Sequence, residues 1–138
     1  MHPLRITGGQ VLLPSDGVQP IDLTIARGRI DRIDGPVPSD GMRLDASGLL
    51  VLPGIVDLHG DAFERQMQPR PGVDFPADIA LADTESQLLA NGITTAFHGI
   101  TLSWEPGLRS PTNWRKLLDA LGARSWTCDM RVHLRWEA

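Results

Sequence analysis

His59 and Asp61 stand two residues apart at the end of the stretch Leu52-Pro53-Gly54-Ile55-Val56-Asp57-Leu58-His59-Gly60-Asp61. An imidazole nitrogen and a carboxylate oxygen at that spacing are donor types that a borderline divalent cation accepts. A Pro-Gly turn leads into alternating aliphatic and polar residues, which predicts a short strand over residues 55–59. Side chains along a strand switch faces at every step, so Asp57, His59 and Asp61 are expected on one face, with Val56 and Leu58 on the other. On this reading His59 and Asp61 hold a metal, and Asp57 lies deeper and orients a ligand or the strand. The competing reading is a His–Asp hydrogen bond that fixes a loop.

A second polar face lies at the other end of the chain. Met130, Val132, Leu134 and Trp136 alternate with Arg131, His133, Arg135 and Glu137. That pattern is a strand with one apolar and one fully polar face, and in a parallel sheet a polar inner face suits a site in a barrel mouth. His133 then either meets substrate or packs inside the barrel. Arg70 sits in the Pro-stiffened loop Gln68-Pro69-Arg70-Pro71-Gly72-Val73-Asp74-Phe75-Pro76, where its planar fork either grips phosphate or simply faces water. His98 either touches substrate or belongs to the core, and the four tryptophans read as packing.

The elements that must position these groups change character near Pro53. Residues 1–52 read as short strands and turns: a pair around Gly8-Gly9, then Ile21, Leu23 and Ile25 alternating, a turn at Arg27-Gly28 and a return strand. The spacing of Ile30 and Ile33 predicts a bulge or an early end near Asp34. After Pro53, strands alternate with helices. A helix is expected over residues 78–90 with Gly92 ending it, and a β-branched strand over residues 94–98. Ser110-Pro111 opens a helix whose Trp114, Leu117, Leu118 and Leu121 form one stripe, closed by Gly122. Repeated strand–helix–strand units imply parallel strands with right-handed crossovers.

Composition sets the outer limits. The 138 residues, 41% hydrophobic and 22% charged, suit a globular protein with a core. A net charge of −4 without a basic run argues against a nucleic-acid partner. The lone Cys128 allows no internal disulfide and suits a reducing cytoplasm. No apolar run approaches the ~20 residues of a membrane helix, so no membrane partner is expected.

A small β unit, then Pro-Gly-Ile-Val-Asp-Leu-His-Gly-Asp, then Gly92-Ile93-Thr94-Thr95, resembles the opening of the amidohydrolase superfamily, in which the usual strand-one motif is His-x-His. His59-Gly60-Asp61 departs from it and resembles a narrower branch, the diphosphatases of phosphonate utilisation. Glu64, Met67, Pro69-Arg70-Pro71, Pro76 and His133-Leu134-Arg135-Trp136-Glu137 carry that closer likeness.

The resemblance implies an α/β protein. A small β-sandwich segment over residues 1–52 would be followed by the first units of an incomplete (β/α)8 TIM barrel over residues 53–138. It implies a divalent cofactor, Zn²⁺ or Mn²⁺, with His59, Asp61 and Glu137 as ligands, and a substrate contacted by Arg70, His133 and Arg135. The substrate implied is a phosphorylated sugar, ribose 1-methylphosphonate 5-triphosphate, from which pyrophosphate is released. The general-base Asp would lie in a later part of the barrel, so these residues alone are expected to be inactive; a homo-oligomer is compatible with this. Two alternatives stay open: a C–N hydrolase of the same superfamily, a deacetylase or cyclic amidase, and a truncated chain that catalyses nothing.

Overall fold

A computed structural model describes residues 2–35, 41–104 and 106–136. The chain divides into two compact units, Met1–Pro53 and Gly54–Ala138.

Among the described residues, the elements of the first unit are all strands. A four-stranded sheet joins β1 (Leu4–Thr7), β4 (Leu23–Ala26), β5 (Arg29–Ile33) and β6 (Met42–Asp45) in the order β5-β4-β1-β6. A second sheet, β3-β2-β7, joins β2 (Gln10–Leu13), β3 (Gly17–Pro20) and β7 (Leu50–Val51). The β4–β5 hairpin turns at Arg27 and Gly28, with φ of 54° and 73°. Positive φ at both central residues gives a two-residue turn the twist its strands need, and Gly28 adopts it without strain. Pairing steps from Thr24–Arg32 to Ile25–Ile30, leaving Asp31 as an extra residue, and β5 ends at Ile33. The irregularity forecast from the isoleucine spacing thus falls inside β5. Arg5 is buried and donates to the Asp22 carboxylate at 3.0 Å and to the Gly35 carbonyl. The backbone N–H of Gly8, together with Arg5, holds the Asp22 carboxyl below the usual range.

In the second unit three parallel strands, β8 (Ile55–Gly60), β9 (Ile93–Leu102) and β10 (Asp129–Trp136), lie in the order β10-β9-β8. Among the described residues it also holds three helices: α1 (Ala62–Met67), α2 (Ala77–Ala90) and α3 (Pro111–Gly122). Helix α2 ends as its sequence demands: Gly92 takes φ of 75° and its N–H reaches the Leu89 carbonyl at 3.0 Å. In α3, the Ser110 side chain accepts from the Asn113 N–H at 3.3 Å, capping the first turn, and Leu117 is buried. Phe63, Met67, Ala80, Leu81, Ile100 and Leu117 form one core cluster between β9 and the helices. Leu88, Ala96 and Cys128 form another, and burial there pushes the Cys128 thiol upward.

Three expectations change. The middle strand runs for ten residues instead of five, because Gly99 to Leu102 continue the extended backbone beyond His98. Helix α1 was not foreseen; at six residues it is too short for its apolar period to stand out. Trp104 and Trp136 are 83% and 73% exposed, so neither is packing in the described structure.

Candidate metal centre

Strand β8 starts where Ile55 donates its N–H to the Gly92 carbonyl, beside β9. Its register against β9 is irregular between Ile55 and Val56, and again between Asp57 and Gly60. At the second irregularity Asp57 folds its carboxylate back to accept the His59 backbone N–H at 3.0 Å. This is local Asx-type bonding, in which a short carboxylate takes a backbone donor two residues on. Asp57 thus fixes the segment that carries His59.

The His59 ring lies over Gly99 in the neighbouring strand. A Cβ on Gly99 would come within 2.7 Å of His59 Cε1, 3.0 Å of Nε2 and 3.2 Å of Nδ1. His133, on the far side of β9, is the register partner of Gly99. The two histidines therefore meet above the middle strand. Their Nδ1 atoms are 3.4 Å apart, with ring centroids at 5.0 Å and planes at 85°. His133 Nδ1 also lies 3.3 Å from the Leu58 carbonyl oxygen. Both histidines are exposed, so a solute has access to them.

Asp61 falls outside the strand. Strand β8 stops at Gly60, and Asp61 has φ −123° and ψ 7° at the N-terminal boundary of α1, with its carbonyl accepting the Glu64 N–H. The alternation that would have set Asp57, His59 and Asp61 on one face is broken by the irregularity and the turn into α1. Arg70 is exposed on its loop, where its carbonyl accepts from Val73 at 3.1 Å. Arg135 lies two residues beyond His133 on the same strand, paired with Thr101. Glu137 lies outside the described residues. Glu64, part of the sequence likeness, is bound to Arg109 at 3.2 Å.

His98 takes the opposite face from Gly99. It is 1% exposed, packed edge-on against Phe63 at 5.2 Å between ring centroids, and neither ring nitrogen has a partner among the described residues. Burial lowers its pKa, with the Asp57 charge opposing the shift. Of the two readings open for this residue, the core one describes its position.

Two imidazole nitrogens at one point are the softer donors that Zn²⁺ accepts, so the residues fit a borderline cation in part. Among the described residues no group of three or more His, Cys, Asp or Glu side chains converges. Sequence reasoning named both histidines but gave them separate tasks. The signal that would have joined them is Gly99, a residue without a side chain in the middle of a β-branched strand.

The chain resembles known hydrolases along most of its length. It is 30% identical over 99 residues to the alpha-D-ribose 1-methylphosphonate 5-triphosphate diphosphatase of Escherichia coli K12, an alignment covering 68% of this chain and 26% of that protein. It is 34% identical over 77 residues to a dihydroorotase of Geotalea daltonii, covering 54% of the chain and 17% of the relative. Its fold superposes on that of a D-hydantoinase with a TM-score of 0.69 over 97% of the chain and 27% of the other, at 23% identity. These likenesses support an amidohydrolase-superfamily chain that resembles the diphosphatase. No family model matches it. The chain spans about a quarter of the length of the diphosphatase and less of the dihydroorotase. Among the described residues no helix is long and apolar enough to cross a membrane.

Proposed function

We propose that this superfamily chain supplies the first metal-binding strand of a metal-dependent phosphohydrolase that releases pyrophosphate from a triphosphorylated sugar phosphonate. The observation that carries the reading is the likeness to the diphosphatase, which covers 68% of the chain. On this reading residues 54–138 are the opening units of a (β/α)8 barrel, and residues 1–53 belong to a β-sandwich. His59 and Asp61 hold Zn²⁺ or Mn²⁺, joined by Glu137, and Asp57 steadies His59 through its backbone.

A bound divalent ion would neutralise charge on phosphate oxygens and acidify a water. Arg70 and Arg135 would bind the phosphate chain, since a guanidinium fork matches phosphate geometry. The proton acceptor is not assigned within these residues, so binding without turnover is expected of them.

The second reading is a cyclic amidase, favoured by the 34% identity to a dihydroorotase. One calorimetric comparison separates the two. Residues 1–138 with Mn²⁺ are titrated with ribose 1-methylphosphonate 5-triphosphate and with dihydroorotate, and ³¹P spectra are recorded on the first mixture. The proposal expects the triphosphate to bind and no pyrophosphate to form. Binding of dihydroorotate alone would transfer the assignment to C–N chemistry.

A further inference from the structure

We propose that His59 and His133 form a two-nitrogen chelate for a borderline divalent cation, through both Nδ1 atoms, and that Gly99 is the spacer that lets them meet. This rests on the metal-dependent reading and deepens it. His133 becomes a ligand in place of a substrate contact.

Distances carry the inference. Two imidazoles on one tetrahedral ion, with metal–nitrogen bonds of about 2.0–2.1 Å, place their nitrogens about 3.4 Å apart. The two Nδ1 atoms are 3.4 Å apart. Hydrogen bonds from N–H donors cluster at about 2.9–3.0 Å, so this pair is slack as a hydrogen bond. The same tetrahedral arrangement sets ring centres about 5 Å apart, by the same bond lengths. The observed centroid separation is 5.0 Å, and the rings are nearly perpendicular, which keeps them from colliding around a shared ion.

Strand geometry makes the meeting specific. Strands β8 and β10 flank β9, and neighbouring strands lie about 4.8 Å apart, so the two backbones are separated by roughly twice that. Side chains on the outer strands can join only by leaning across the middle one. Any Cβ at position 99 would stand where the His59 ring lies, as the 2.7 Å approach shows. Asp57, bonded to the His59 backbone N–H, fixes the other end of the reach. Without a cation, a proton on His133 Nδ1 would have two acceptors in range, His59 Nδ1 and the Leu58 carbonyl. Cation binding would take the place of any such proton, because a nitrogen donates its lone pair only when unprotonated.

The test is zinc titration of residues 1–138 by calorimetry, with long-range ¹H–¹⁵N spectra of the histidine rings, on the wild type, His59→Ala and His133→Ala. Both histidines are exposed, so neither substitution removes core packing. The expected result is one zinc per chain, Nδ1 resonances of both histidines shifted together, and affinity at least tenfold weaker in either variant. Equal affinity in wild type and His133→Ala would overturn the chelate and leave His59 as a ligand under the broader reading. No zinc binding by the wild type would also overturn it, while the triphosphate and dihydroorotate titrations decide the function independently.

Discussion

His59 on β8 lies against Gly99 on β9 so closely that a single methyl group would meet its ring at 2.7 Å. The atom in the way is the end of an exposed side chain, which can swing aside at little cost. Gly99→Ala is therefore expected to unfold within about 1 kcal/mol of wild type, since surface adjustments of this kind are small. Its histidine rings should nevertheless part, with loss of the nuclear Overhauser contact between His59 and His133. A retained contact would show that the glycine is no spacer.

His98 predicts a pH dependence. Burial lowers its pKa in the folded chain, so the unfolded chain takes up the proton first as pH falls. No penalty exists above the ordinary histidine value of about 6.5. Stability is then lost as pH drops from there through the depressed folded value. Urea midpoints between pH 7.5 and 5 should decline in wild type and decline less in His98→Leu. Parallel declines would remove His98 as the cause.

Two leucines test the division between core and surface. Leu81 is fully buried in the cluster with Phe63 and Ile100, while Leu58 is 69% exposed. Leu81→Ala should cost about 2–5 kcal/mol by urea unfolding, the range for a buried leucine. Leu58→Ala should change stability by about 0.5 kcal/mol or less. Similar costs at both sites would contradict the placement of the core.

The two arginines assigned to phosphate give a binding prediction. Arg70→Ala and Arg135→Ala should each weaken triphosphate binding about tenfold, the order expected for losing a charge-assisted hydrogen bond. Raising the salt concentration should narrow the difference from wild type. Affinity unchanged in both variants would remove them from the site.

Much of the scaffold was legible because its signals are local. The Arg27-Gly28 turn, the Ser110 cap and the Gly92 stop each depend on a few adjacent residues, and each stands as read. The alternation from Met130 to Trp136 likewise became β10. What escaped depends on partners distant in sequence. The length of β9 comes from pairing with β10 along all eight of that strand's residues, which no window around His98 reveals. The irregularity between Asp57 and Gly60 is set against β9, so alternation alone placed Asp61 on a strand that ends before it. The histidine pair required knowing that residues 59, 99 and 133 lie abreast.

Anomalous diffraction from crystals soaked in Zn²⁺ tests the central claim most directly. The account predicts one strong peak above Gly99, within about 2.0–2.1 Å of Nδ1 of both His59 and His133. A peak bound elsewhere on the chain, or none near His59 at full soak concentration, would contradict it.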